Sequence, residues 1–195
     1  MMCSATARKC SGGEKGCFMI STEMQNRLDK LLTAYSHQYN IDRDVTVEGG
    51  SFPATATFFL RDENYLISKK HVLSAVENYD YTYFYITDHL DAETLRQQIE
   101  LTKKVGSARV KPHREHMSSY VSLVILADTI DEEAKKLIKK TRFQKYFRLA
   151  LHGWMEYHIA AMECSTNSFL SNPAGKGARK ILEQNLGSGK KSKGE

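Results

Sequence analysis

The densest concentration of groups able to do chemistry is Lys111-Pro112-His113-Arg114-Glu115-His116, which sets two histidines beside two cations and a carboxylate. On a helix face an H-x-x-H spacing can present two imidazoles to a metal or a proton-transfer site. Pro112 and the preceding Gly106-Ser107 interrupt helix here and predict a loop instead. His113 or His116 could then act in acid–base or metal-assisted work with Glu115, Glu77 or Asp88 as the carboxylate partner. The plainer reading is a solvated loop, because a metal site needs a third ligand and a supporting shell of hydrogen bonds. No metal and no cofactor is expected.

A second group of residues points to anions. Ala174-Gly175-Lys176-Gly177 resembles part of a phosphate-binding loop, in which backbone N–H groups and a lysine hold phosphates at a helix start. Leu170 stands where the first glycine of that pattern belongs, and Gly177 where its Ser or Thr belongs, so a nucleotide triphosphate site is not predicted. Lys69 and Lys70, Lys103 and Lys104, and the stretch from Arg109 to Arg114 supply further positive charge. No G-x-S-x-G, H-E-x-x-H or G-x-G-x-x-G occurs, so the common hydrolase, metalloprotease and dinucleotide signatures are missing.

Those residues need a scaffold, and composition bounds it. The chain has 195 residues, 41% hydrophobic and 26% charged, with three prolines and a net charge of +5. Such values suit one folded domain with a substantial core. The longest strongly apolar run, Val121 to Ala127, is strand-sized and falls far short of the ~20 residues of a membrane helix. No apolar block follows Arg8 and Lys9 as a secretory leader would require, so a cytoplasmic protein without a membrane partner is expected. Cys3, Cys10 and Cys17 are too widely spaced for the usual paired zinc ligands. Residues 1–18 read as a disordered tail or as a start placed upstream of the true initiator Met19. Residues 187–195 read as a disordered Lys/Gly/Ser tail, leaving one domain over 19–186.

From Thr22 the spacing Met24, Leu28, Leu31, Leu32, Tyr35 predicts a helix running to about Tyr39, with Thr22 and Gln25 as a capping box. Ala54–Leu60 and Tyr65–Ser68 read as a hairpin turning at Arg61–Asn64, and Tyr81–Thr87 as an aromatic strand inside the sheet. Two segments, 83–100 and 123–140, then repeat the order strand, Asp-containing turn, acidic helix start and helix. Asp91 and Asp131 are expected to cap these helices, with Thr129 and Glu132 as a further capping box. Tyr146–Leu151 and Trp154–Cys164 read as strands separated at Gly153, with Phe147, Trp154 and Tyr157 in the core. A short helix is predicted around Ala178–Leu186.

Four further features, Ser68-Lys69-Lys70, His116–Tyr120 leading into a strand, Gly153-Trp154 and Asn172–Lys176, together resemble an uncharacterised family of small bacterial proteins, a domain of unknown function. The resemblance covers about residues 20–180. It implies a bacterial cytoplasmic setting and a single domain, and carries over no catalytic residue.

The expected fold is therefore α+β, a single-domain mixed and largely antiparallel sheet packed against three to four helices around one continuous interior. Unpaired sheet edges make a homodimer an expectation. The functional expectation is a binding module for an anionic partner, either nucleic acid or a phosphorylated ligand. Its site would be drawn from Lys69, Lys70, Lys111, His113, Arg114, His116 and Lys176. The alternative is an enzyme built on the histidines and carboxylate of residues 113–116. The two part company on whether those groups meet in one place.

Overall fold

The computed structural model describes residues 22–65 and 72–187, and side chains within these except at 62–65 and 72–75. The terminal segments 1–18 and 188–195, the three early cysteines, and Lys69 and Lys70 lie outside the described residues.

Helix α1 (Thr22–Tyr35) buries the predicted stripe of Met24, Leu28, Leu31, Leu32 and Tyr35. It stops at Tyr35, short of the expected Tyr39, and the N–H groups of Gln38 and Tyr39 both turn back onto the Tyr35 carbonyl. Strand β1 (Asn40–Val47) follows, then the long β2 (Gly50–Tyr65) and β3 (Val72–Leu90). The predicted turn at Arg61–Asn64 is not a turn. Those four residues continue β2 and pair with Glu77 back to Ser74 of β3. Four polar residues looked like a loop because strand polarity is set by what covers each face, which local sequence does not report.

The repeated strand–helix order is real. Helix α2 (Ala92–Arg109) carries the chain from β3 to β4 (His116–Ile130), and α3 (Glu132–Lys140) precedes β5 (Gln144–Tyr146) and β6 (Trp154–Glu163). As that order requires, β3, β4 and β6 are parallel, while β1–β2, β2–β3, β5–β6 and β6–β7 are antiparallel, with β7 at Ser168–Ser171. The seven-stranded sheet runs β1-β2-β3-β4-β6-β5, with β7 also on β6. The chain is thus a single α+β domain with four helices among the described residues, the last of them α4 (Lys176–Leu186). Strand β5 is shorter than predicted. Residues 147–153 form a turn in which Arg148, Leu149 and Ala150 take positive φ values of 46°, 54° and 69°.

Asp91 caps α2 as predicted, accepting from the Thr94 N–H at 2.7 Å. Asp131 makes no side-chain cap bond. Thr129 is taken up elsewhere, its hydroxyl meeting His89 Nδ1 at 2.9 Å across the β3–β4 pairing, so the second capping box does not form.

The expected single interior is two layers divided by the sheet. Odd-numbered residues of β3, β4 and β6, among them Tyr83, Leu123, Ile125 and Tyr157, pack with Leu95, Ile99, Ala134 and Ile138 of α2 and α3. Even-numbered ones, among them Phe84, Val124, Leu126 and Met162, pack with Leu28, Leu31 and Leu182 of α1 and α4. The layers are not independent, because the same three strands supply alternate residues to both. At the outer edge, β1 carries Asp42, Arg43 and a left-handed Asp44 (φ 52°), features that oppose pairing with another strand.

Candidate functional site

The candidate residues around 113–116 gather where the parallel strands begin. His116 is not in a loop: it is the first residue of β4, buried to 3% exposure and aligned with Glu77 of β3. Residues 111–115 approach from the end of α2, and the Glu77 N–H donates to the Glu115 carbonyl at 2.9 Å, tying this segment to the sheet.

Glu77 is the hub. Its carboxylate accepts the Tyr79 hydroxyl at 2.7 Å, Arg61 at 2.6 Å, and faces His113 Nε2 at 3.0 Å. Arg61 also reaches Glu115 at 3.0 Å. The Tyr79 hydrogen bond, and behind it Arg61 and His113, hold the Glu77 carboxyl below its ordinary value in spite of burial. Burial and the same bond push the Tyr79 phenol up to about 12. The Glu115 N–H donates to His113 Nδ1 at 3.3 Å, so that nitrogen accepts and the proton sits on Nε2, facing Glu77.

His116 is fixed by the same logic. Nδ1 lies 2.7 Å from the His152 carbonyl, which can only accept, so Nδ1 carries the proton. Nε2 lies 2.8 Å from the Ser119 hydroxyl. The 147–153 turn that supplies the His152 carbonyl depends on Gly153, whose φ of +74° suits glycine, and where an added Cβ would sit 2.2 Å from the Met117 carbonyl oxygen.

Beside this hub the odd face of the sheet carries an aromatic row. Phe59, half exposed, packs on Tyr79 with ring centroids 4.8 Å apart, and Tyr79 stacks toward Tyr81. The Arg109 guanidinium lies 4.4 Å from the Tyr81 ring centroid and donates to Thr57. Lys111 and Arg114 are exposed, and neither forms an ion pair among the described residues. Arg109, Phe59, Tyr79 and Tyr81 therefore lie together on one face, next to the segment that carries Lys111 and Arg114.

The predicted residues divide cleanly. His113 and His116 come together with Glu77 and Glu115, while Lys111 and Arg114 are exposed residues of the same segment. Asp88 does not join them: it lies near the other end of β3, about 36 Å along the strand from Glu77. Lys176 is also elsewhere. Asn172, just before it, accepts from the Ile159 and Gly175 N–H groups and donates to the Tyr157 carbonyl, anchoring the start of α4 midway along β6, about 17 Å up the strand from Trp154. The Asn172–Lys176 signal is thus a structural anchor for a helix. The resemblance to a phosphate loop came from a turn with the same residue types.

Reasoning from sequence missed Arg61, Tyr79, Phe59 and Ser119, and a whole polar patch on the opposite face. On the even face three rows of aligned residues, Asn78–Ser118–Trp154, Asp80–Tyr120–Glu156 and Thr82–Ser122–His158, cross the central strands. Seven of these nine side chains are polar, although Thr82, Ser118 and Ser122 are buried. Trp154, expected in the core, belongs to this patch and is half-buried. The available signal was the alternation Ser118, Tyr120, Ser122 just ahead of the all-apolar Leu123–Ala127: polar residues at period two inside strands that are otherwise apolar.

A family model described as a domain of unknown function (DUF8052) matches residues 23–184, and the chain belongs to that family. No curated protein and no solved structure matches the chain.

Proposed function

We propose that this member of the DUF8052 family is a binding module for an anionic, phosphate-bearing partner, with single-stranded nucleic acid the best match. The observation that supports it most is Arg109 over the aromatic row that ends in half-exposed Phe59, at the end of the helix that leads into exposed Lys111 and Arg114. Cations attract a phosphate backbone, and an exposed ring stacked on a second ring offers a platform for a base. The Glu77 network serves this by holding residues 111–115 against the sheet without presenting its own charge, since Arg61 and His113 face it. In this reading the setting is the bacterial cytoplasm. Among the described residues no helix is long and apolar enough to cross a membrane.

Anisotropy of a fluorescein-labelled oligothymidylate, followed over a salt series, tests the proposal. Three phosphate contacts on a single strand predict a slope of log K against log salt of about −2. Replacing Lys111 and Arg114 together by Ala removes two contacts and leaves a slope of about −0.7. Binding that ignores salt, or no binding at low salt, sinks the idea.

A second reading, acid–base catalysis, is favoured by one fact: half-exposed His113 sits 3.0 Å from buried Glu77. It is the weaker of the two, because both ring nitrogens of His113, and both of His116, already have partners, and Ser119 is fully buried. His113→Ala separates them. The binding reading expects weaker oligonucleotide affinity from a loosened 111–115 segment, whereas the catalytic reading leaves affinity unchanged.

A further inference from the structure

Three carboxylates in this sheet are removed from solvent to differing degrees, and two have cationic partners. Glu77 has Arg61 and His113. Glu163 has Lys135 at 3.1 Å; burial works against its ionisation, yet bonds from Thr166, the Ile130 N–H and Lys135 bring it to about 2. Asp80 differs. Its oxygens accept three neutral hydroxyls, from Tyr39 at 3.0 Å, Thr82 at 3.2 Å and Ser122 at 3.4 Å, and among the described residues no lysine or arginine pairs with it. Burial drives its carboxyl above the ordinary value. With neutral hydroxyls as its donors and, among the described residues, only the His158 imidazole as a nearby titratable base, this carboxyl is costly to ionise, and a cation arriving from outside would lower that cost.

What surrounds Asp80 indicates the shape of such a cation. Asp80, Tyr120 and Glu156 are aligned across β3, β4 and β6, so the two acidic residues stand two strands apart, about 10 Å between Cα atoms. Tyr120 stands between them on the middle strand, and its ring stacks on His158, centroids 5.1 Å apart. Glu156 remains open, its side chain 34% exposed, and among the described residues its one ion-pair partner is His158 Nε2 at 3.4 Å. Half-buried Trp154 occupies the adjoining row. Two carboxylates flanking an aromatic ring suit a ligand with an ammonium at each end and a methylene chain between, its charges on the acids and its chain and cationic ends against the ring. A phosphate does not suit this face, whose nine aligned residues include no lysine or arginine.

From this geometry we infer that the even face of the sheet binds a linear diamine or polyamine across Tyr120, between Asp80 and Glu156. The inference is independent of the anion-binding proposal, which concerns the opposite face.

Trp154 is the only tryptophan in the chain, so its emission reports on this face alone. The full chain is titrated with 1,4-diaminobutane, with butylamine, which keeps one charge, and with 1,4-butanediol, which keeps the shape and no charge. A saturable change is expected with the diamine, about tenfold weaker with butylamine as one charge-assisted contact is lost, and absent with the diol. Asp80→Asn and Glu156→Gln are each expected to weaken diamine binding by about tenfold. Should Asp80→Asn not fold, half-exposed Glu156→Gln carries the test alone. A diol that binds as well as the diamine, a diamine with no saturable effect up to about 10 mM, or undiminished binding in a folded Glu156→Gln protein overturns the inference.

Discussion

Glu77 and Asp80 lie three positions apart on β3, yet they meet opposite fates because one points to the odd face and the other to the even face. Glu77 falls where α2 has ended and two other chain segments arrive, and it is compensated by Arg61, His113 and the Tyr79 hydroxyl. Asp80 falls beside the end of α1, where Tyr39 and two strand hydroxyls donate to it and the His158 imidazole lies near, but among the described residues no lysine or arginine pairs with it. A compensated carboxylate works as a fastener for the loop above it. One held by hydroxyls without a lysine or arginine partner keeps a demand that a ligand can meet.

The contrast breaks most directly through the turn that backs the odd-face cluster. Gly153→Ala places a Cβ against the Met117 carbonyl oxygen in a left-handed conformation, and a loss of about 3 kcal/mol or more is expected in urea unfolding. A protein of unchanged stability would show that the turn, and with it the His152 anchor of His116, is not fixed as described. Next in size, Glu77→Ala removes the acceptor of the Tyr79 hydroxyl and one of the carboxylates that Arg61 reaches. Since Arg61 and His113 are themselves partly exposed, about 2 kcal/mol is expected, well below the full cost of breaking a buried pair.

The pH dependence sharpens the comparison by its sign. Glu77 is held below its unfolded value, so its contribution is present above pH ~4.5 and lost as pH falls through its lower folded value. Asp80 is held above its unfolded value, so its protonated form is the one folding favours, and stability is lost as pH rises from ~4 through its folded value. Subtracting the stability–pH curves of Glu77→Gln and Asp80→Asn from that of the unaltered protein should give differences of opposite slope. At neutral pH Asp80→Asn should cost no more than about 1 kcal/mol and can stabilise, because the amide has no charge to desolvate. Parallel difference curves would mean the two acids have equivalent environments. The smallest effect is expected from replacing exposed Lys111 and Arg114 by Ala, within about 0.5 kcal/mol in stability, so that any change in oligonucleotide binding reports contact rather than folding.

The sequence alone determined the elements whose pattern is local: the buried stripe of α1, the two strand–helix repeats and the Asp91 cap. Periodicity and capping chemistry act over a few residues and can be read from them. It also found one true cluster, His113 with His116 and Glu115, because those residues are near one another along the chain. The rest was decided by tertiary structure. Arg61 looked like part of a turn and is a strand residue clamped to Glu77, Lys176 looked like a phosphate ligand and follows a helix anchor, and Asp80, Tyr120 and Glu156 had no visible relation until three parallel strands set them side by side. Strand register joins residues far apart in sequence, and parallel strands do so through intervening helices, so no short-range pattern could have recorded which side chains share a face.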